Sequence, residues 1–292
     1  MTDTVVVLVN GFPQGTSNLE SQVAGHAFND SKPRIGLLIN EQGHVLKPIE
    51  GPVRGTREVN FYKQIQSSDD PIIQELKSFV PAYYGTKKLP WNEEEVDYIV
   101  LSNATAEMKL PCVMDIKIGR QTWDPEAPPS KKENELKKYV ECKKEFGFCI
   151  PGLQMYDVRT GTLTRHGKEF GKDLGRESTK EEIFLKHQIQ VFKKFLGLDT
   201  GYGRPVLESF VERIRPILSW CQRQRHFLMY SSSLLLAYDA SCLNSGGDTK
   251  PLCTLTMIDF AHVFPASGEP DTNYIAGVES LAKLLELLMN ET

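Results

Sequence analysis

Pro111-Cys-Val-Met-Asp115-Ile-Lys117-Ile-Gly119 sets an acid, a base and a glycine into nine residues of an otherwise apolar run. Val113, Met114, Ile116 and Ile118 have strand character. Side chains alternate along a strand, so Asp115 and Lys117 project from the same face. A carboxylate and an ammonium held together at a strand end, with a glycine after them, suit the grip of a polyanion and its attached sugar. A surface strand carrying one weak ion pair would be written with the same residues. The segment alone does not separate the two readings; the rest of the chain does.

Met257-Ile258-Asp259-Phe260-Ala261-His262 lies far downstream. Leu255, Met257 and Ile258 read as a buried strand ending at an acid. Kinase-like folds present a magnesium ligand to nucleotide phosphates in this way. Magnesium takes one or two carboxylates plus phosphate oxygens and water, so a single Asp259 is chemically adequate. A strand-terminal Asp capping a turn is the plain alternative. In Ser231-Ser232-Ser233-Leu234-Leu235-Leu236-Ala237-Tyr238 the leucines suit a core strand. The hydroxyls before it can bond phosphate or orient a lysine, or simply make a turn.

Pro111-x-x-x-Asp115-x-Lys117-x-Gly119, Ser232-Ser233-Leu234-Leu235 and Ile258-Asp259-Phe260 together resemble, in order and separation, the inositol polyphosphate kinases. Gln22-Val-Ala-Gly25-His26 is similar to the opening segment of that family. Lys47-Pro48 and Arg54-Gly55-x-x-Glu58-x-x-Phe61-Tyr62 resemble its lysine strand and following helix. Asp124-Pro125 and Ile258-Asp-Phe-Ala-His262-Val-Phe-Pro265 look most like the multikinases within it. The resemblance covers nearly the whole chain. It implies one α+β kinase domain over 1–292, two-lobed and related to the ATP-grasp and protein-kinase folds. The N-lobe would be 1–104 and the C-lobe 105–292, with a helical substrate-binding segment inserted near 130–146.

Composition agrees with one such domain. The chain has 292 residues, 40% hydrophobic and 25% charged, enough for a substantial core. A net charge of −4 argues against nucleic-acid binding driven by bulk charge. The six cysteines form no Cys-x-x-Cys or zinc spacing and read as reduced thiols. No signal peptide or membrane span is expected. There is no Walker A loop, Gly-x-Gly-x-x-Gly loop or His-Arg-Asp motif, which disfavours P-loop enzymes and protein kinases.

Along the chain, Val5–Val9 reads as a strand. Ile35–Ile39 and His44–Pro48 read as a hairpin about Asn40–Gly43. A helix is expected over Arg57–Ile65, the only one of the N-lobe. Strands are expected at Ala82–Gly85 and Tyr98–Leu101, with Glu93, Glu94, Glu95 and Asp97 in a loop between them. After a loop at Asp124–Ser130, one charged helix runs from Ser130 to Phe146. A second hairpin turns at Thr160-Gly161. Thr179-x-x-Glu182 is a capping box for a helix to about Leu196. Pro205–Gln224 is another helix, and Leu281, Leu284, Leu285 and Leu288 stripe the last one.

On the charged helix, Lys131, Asn134, Glu135, Lys138 and Cys142 follow helical spacing and share a face. By itself this reads as a solvated charge run. The resemblance makes Lys131, Asn134 and Lys138 ligands of an inositol phosphate. It further implies that Lys47 contacts the phosphates of ATP with Glu58 orienting it. Asp115 would bind the ribose, and Leu101, Ser102 and Ala104 would border the adenine. Lys117 would contact the substrate beside the transferring group. Asp259 would hold Mg2+, Ser233 would support the phosphate region, and His262 would reach the substrate. Lys47, Lys117 and Asp259 are then the catalytic set for in-line phosphoryl transfer.

Two departures stand out. Ser102 replaces an acid found in many multikinases, which removes or weakens an adenine contact. Gln154 falls where some relatives carry arginine, leaving Arg159 or Arg165 to compensate at a phosphate. Soluble inositol polyphosphates are the implied partners, with phosphoinositide head groups as a further class. A monomer in the cytoplasm or nucleus is the default. Hexakisphosphate kinase, trisphosphate 3-kinase and a non-catalytic binding scaffold stay as alternatives.

Overall fold

The structure, a computed structural model, describes residues 8–9, 12–24, 36–91, 94–173, 181–244 and 251–291. Short strands β1 (Leu8–Val9) and β2 (Phe12–Pro13) pair with each other. The first large sheet is antiparallel, in the order β3 (Thr16–Asn18), β4 (Leu38–Asn40), β5 (Val45–Pro48), β7 (Glu94–Leu101), β6 (Tyr83–Trp91). The hairpin at Asn40–Gly43 forms as expected, with Gly43 at φ +77°.

Between β5 and β6 come a π-helical turn (Gly51–Gly55) and two helices, α1 (Thr56–Ser67) and α2 (Pro71–Leu76). A single helix was expected there. The signal for α2 is plain in retrospect: Asp70 caps Ile72 and Ile73 N–H, and Pro71 opens the helix. The acidic segment is also not a loop. Glu94, Glu95 and Asp97 belong to β7 and are exposed; Glu95 and Asp97 alternate with Val96, Tyr98 and Val100, of which Tyr98 is fully buried. Glu93 lies outside the described residues, as do Val5–Val7, Gly25-His26, Ile35 and Thr179 of the expected capping box.

The second sheet holds the opening motif at its centre. Its antiparallel order is β10 (Thr162–His166), β9 (Phe148–Asp157), β8 (Pro111–Ile118), β12 (Ser233–Asp239), β13 (Cys253–Ile258). Between β8 and β9 lie α3 (Pro129–Leu136) and α4 (Val140–Phe146). These replace the one continuous helix expected from Ser130 to Phe146. Tyr139 takes the left-handed conformation, φ +53°, and breaks it. The physical reason is visible in α3, which buries no residue and leaves Leu136 exposed. Without an apolar stripe nothing holds a long helix straight. α4, by contrast, buries Cys142 and Phe146.

The chain continues through α5 (Lys168–Asp173), α6 (Glu181–Phe195) and α7 (Arg204–Arg223). A small ladder of β11 (Phe227–Met229) with β14 (Val263–Pro265) precedes α8 (Thr272–Glu291), whose Leu281, Leu284, Leu285 and Leu288 are buried. One apolar core joins both halves. It includes Phe61 of α1, Leu76 of α2, Met114 of β8, Trp220 of α7 and Leu285 of α8. Trp220 Nε1 donates to Ile72 O at 2.7 Å, tying α2 to α7, and Met257 N donates to Phe79 O at 2.7 Å, tying the turn after α2 to β13. All six cysteines are free. Among the described residues no helix is long and apolar enough to cross a membrane.

Candidate active site

β8 presents Asp115 and Lys117 on one face, while Met114 and Ile116 enter the core on the other. Register with β12 sets Asp115 opposite Leu235 and Lys117 opposite Ser233. β5 brings Lys47, α1 brings Glu58, and the turn after β13 brings Asp259. Lys47 Nζ lies 2.7 Å from Glu58 Oε1 and 2.6 Å from Asp259 Oδ1. The same Glu58 oxygen accepts Phe260 N–H at 3.1 Å. One carboxylate of α1 thus aligns both the lysine and the turn carrying the second acid. Phe260 stacks on Phe61, ring centres 4.1 Å apart, which pins that turn to α1.

Asp259 has φ +66°, a left-handed conformation that a non-glycine residue holds only when its surroundings impose it. Ser232 Oγ donates to the Asp259 carbonyl at 2.8 Å. Ser231, also left-handed at φ +57°, donates to Thr122 O and accepts from Lys117 Nζ at 3.4 Å. The serine run is therefore scaffolding for the acid and the lysine, with Ser233 buried behind them.

The charges are strongly coupled. Burial would lower the Lys47 ammonium, but Asp259 and Glu58 outweigh it and hold Lys47 well above its ordinary value. Burial would raise Asp259, yet Lys47 and then Lys117 keep it ionised and below the usual carboxylate range. Asp115 goes the other way: burial, reinforced by Asp259 and only partly opposed by Lys117, pushes it up to about 6. Its Oδ1 is buried without a well-formed hydrogen bond, and the Ser233 hydroxyl beside it only slightly offsets the rise. A buried acceptor of this kind is open to a donor from water or a ligand.

A cavity of about 650 Å³ lies between the two sheets. Its walls include Leu101, Ser102, Ala104, Lys47, Asp115, Lys117, Asp259 and His262. Val45, Val113, Leu235 and Ile258 add apolar wall. Ser102 Oγ accepts Ala82 N–H at 2.9 Å, so this hydroxyl is already engaged.

The expected inositol-phosphate residues are less concentrated. His262 lines the cavity, its Nδ1 held by the buried Asp124 carboxylate. Burial, with Lys131 nearby, lowers this imidazole despite Asp124. Lys131 is half-buried on α3. Burial lowers its ammonium, Asp124 opposes, and Arg54 adds to the lowering. Asn134 and Lys138 are exposed, and none of the α3 residues lines the cavity itself. Lys131 and Lys138 do not share a helix face, because the break at Lys137–Tyr139 separates them.

Gln154 does not line the cavity. It is buried opposite Val113, donates to Pro111 O at 2.8 Å and accepts from Arg165 Nε at 3.2 Å. Arg165 also reaches Glu20 O, Arg159 pairs with Asp157 on the surface, and neither lines the cavity. Sequence reasoning did not find Arg57. It bonds Glu126 and Ala261 O and lies 4.1 Å over the Phe264 ring, bracing the turn after Asp259. Only its helical phase beside Glu58 could have hinted at this.

Two antiparallel sheets around a cavity lined by a Lys–Glu pair bridged to an acid define a two-lobed kinase-like α+β fold. Residues 98–286 match the family model described as inositol polyphosphate kinase, and the chain belongs to that family. It is 31% identical over 229 residues to inositol polyphosphate multikinase of Mus musculus, covering 78% of this chain and 54% of the relative. Inositol polyphosphate multikinase alpha of Arabidopsis thaliana is 27% identical over 279 residues, covering 92% and 95%. The chain thus spans about half the length of the mammalian relatives it matches and nearly all of the plant one. The solved inositol phosphate multikinase Ipk2 of S. cerevisiae, in complex with ADP and Mn2+, superposes with a TM-score of 0.64 at 22% identity, covering 84% of this chain and 99% of that one.

Proposed function

We propose that this protein is an ATP-dependent inositol polyphosphate kinase of the multikinase type. The observation that carries the reading is Lys47 clasped between Glu58 and Asp259 beside Lys117. The residues fit nucleotide and metal. Asp115 offers a buried carboxylate oxygen, without a well-formed hydrogen bond, to a ribose hydroxyl. Asp259 is 42% exposed at its side chain, and one of its two oxygens is not bonded to Lys47, so it can hold Mg2+ together with phosphate oxygens and water. Bound Mg2+ supplies charge neutralisation at the phosphates.

Lys47 and Lys117 then flank the phosphates and offset charge that spreads over the equatorial oxygens. Glu58 fixes the direction of Lys47. His262, anchored on Asp124, orients the acceptor ring through the edge it turns to the cavity. Lys131 meets a ring phosphate, with Asn134 and Lys138 at the outer rim. Leu101, Ser102 and Ala104 border the adenine, and Ser102, with its hydroxyl engaged by Ala82, contributes apolar contact there. We read residues 1–104 as the nucleotide-covering lobe and 105–292 as the lobe that holds the acceptor. Free buried thiols support an intracellular setting. A monomer is the working state, and phosphoinositide head groups are a second acceptor class with the same phosphate chemistry.

Incubation with Mg-ATP and inositol 1,4,5-trisphosphate, a pentakisphosphate or hexakisphosphate, with anion-exchange separation, tests the reading. Stepwise conversion of the trisphosphate to tetrakis- and pentakisphosphate is the expected result. A single tetrakisphosphate would make it a 3-kinase, and a more retained product from hexakisphosphate a pyrophosphate-forming kinase. No turnover by folded protein would leave a binding scaffold.

A further inference from the structure

Helix α1 separates two hollows. Glu58 and Tyr62 face the cavity that holds Lys47 and Asp115. From its other side, Thr56, Arg57, Asn60, Phe61 and Gln64 line a second groove of about 470 Å³. β11 and β14 contribute Phe227, Val263 and Phe264 to that groove. Val53 also lines it and is 63% exposed, an apolar side chain left in water beside a hollow.

The polar groups say what the groove would take. The side chains of Thr56, Asn60 and Gln64 are exposed and make no hydrogen bond among the described residues. They recur every fourth residue, which gives a row with a spacing of about 6 Å and a length of about 12 Å. One hydroxyl and two amides can each donate and accept. An extended chain turns its backbone groups to one side every second residue, about 6.7 Å apart. About four residues of extended peptide therefore match the row. No carboxylate lines the groove, and its ionisable members Arg57 and His226 are already paired with Glu126 and Asp70. The unpaired charges flank it. Lys63, one helical turn from Asn60, and Arg225, beside His226, have no carboxylate partner among the described residues.

We propose that this groove is a docking site for an extended peptide in which acidic and apolar residues alternate. Alternate side chains of such a chain point to opposite faces. The apolar set packs on Phe264 and Val53, the acidic set reaches Lys63 and Arg225, and the backbone bonds Asn60 and Gln64. Main-chain bonds give the affinity and the alternate side chains the selectivity. The peptide lies behind α1 and does not enter the first cavity. The inference does not rest on the kinase reading.

The test is fluorescence anisotropy with a labelled hexapeptide alternating aspartate and leucine, and with its counterpart carrying lysine for aspartate. Each is titrated into wild type and into the double variant Asn60→Asp, Gln64→Glu, with and without Mg-ATP. The acidic peptide should bind wild type saturably, about tenfold more tightly than the lysine peptide, and about tenfold more tightly than it binds the double variant, whose new carboxylates oppose it. Mg-ATP should leave it bound. No saturable binding, equal affinity for the two peptides, or an unmoved double variant overturns the proposal. Displacement by Mg-ATP overturns it too, by placing the peptide in the first cavity. Should the double variant not fold, Lys63→Glu must weaken the acidic peptide about threefold or more, and no change overturns the proposal equally. No turnover is read, so a failure here and a failure of the inositol phosphate assay are separate results.

Discussion

The parts of the site proposed to take nucleotide and acceptor ring are built differently. Lys47, Asp115, Lys117 and Asp259 each sit on a strand or one residue beyond it. Ladder register places each against its neighbour, and Glu58 ties three of the elements together. Lys131, Asn134 and Lys138 sit on or just after a short helix with no buried face, next to a left-handed break. The first end is held by many backbone hydrogen bonds and cannot shift one side chain alone. The second is held by side-chain ties such as Thr122–Glu135 and Lys143–Glu135 O. On the proposed function, chemistry that needs fixed geometry would lie on the sheet and recognition that differs among substrates on the adjustable helices.

The comparison can be broken most sharply at Asp259. Asp259→Ala should lower kcat by about a thousandfold or more while circular dichroism stays native. A folded, active variant would remove Asp259 from the mechanism. Glu58→Gln should act more weakly, about ten- to a hundredfold on kcat, because Lys47 stays near but loses its alignment. It should also lower Tm, since Phe260 N–H and Lys47 lose a charged acceptor. Loss of Tm without loss of kcat would make Glu58 purely structural.

Asp115 tests the same end through pH. Its carboxyl is raised to about 6, so the folded state binds the proton more tightly than the unfolded state. Stability from this group is therefore greatest at low pH and falls as pH rises from the ordinary carboxylate range through about 6. Nucleotide affinity should run opposite, rising over that window as the carboxylate forms. Asp115→Asn should raise Tm at pH 7.5 by about 2–5 °C and weaken nucleotide binding about tenfold. A lower Tm would contradict the buried-charge account. At the ring end effects should be smaller: Lys131→Ala about tenfold in KM for the trisphosphate, and Lys138→Ala under about threefold because Lys138 is exposed and already paired. Equal effects of the two would mean that the segment works as one continuous face after all.

Much of this was legible where sequence pattern and chain geometry share one period. The alternation Val113–Ile118 fixed which face carries Asp115 and Lys117, and the strand ending at Ile258 gave away Asp259. Legibility failed where tertiary context decides. Helical spacing continued through Lys137 and Lys138, and nothing local announced that Tyr139 would turn left-handed. The run of acids before Tyr98 looked like a loop because its charge hid the alternation beneath. Gln154 was given a place at a phosphate by its position, yet its amide is consumed by Pro111 and Arg165, partners distant in sequence. Asp124 was noticed beside its proline, but its grip on His262 spans 138 positions and no spacing rule reaches that far.

The left-handed backbone at Asp259 also bears on how such a chain would drift. Only glycine relaxes φ +66° fully, and an Asp there costs about 1 kcal/mol. Asp115 adds a buried, half-satisfied acid. A copy released from selection for turnover would gain stability by Asp115→Asn, so that position would be expected to decay first; Asp259→Gly would relax the backbone but strip the buried Lys47 of one of its two carboxylates. A lineage that keeps Asp115 bears a standing handicap in folding, and that handicap marks descent under continuous demand for a carboxylate there.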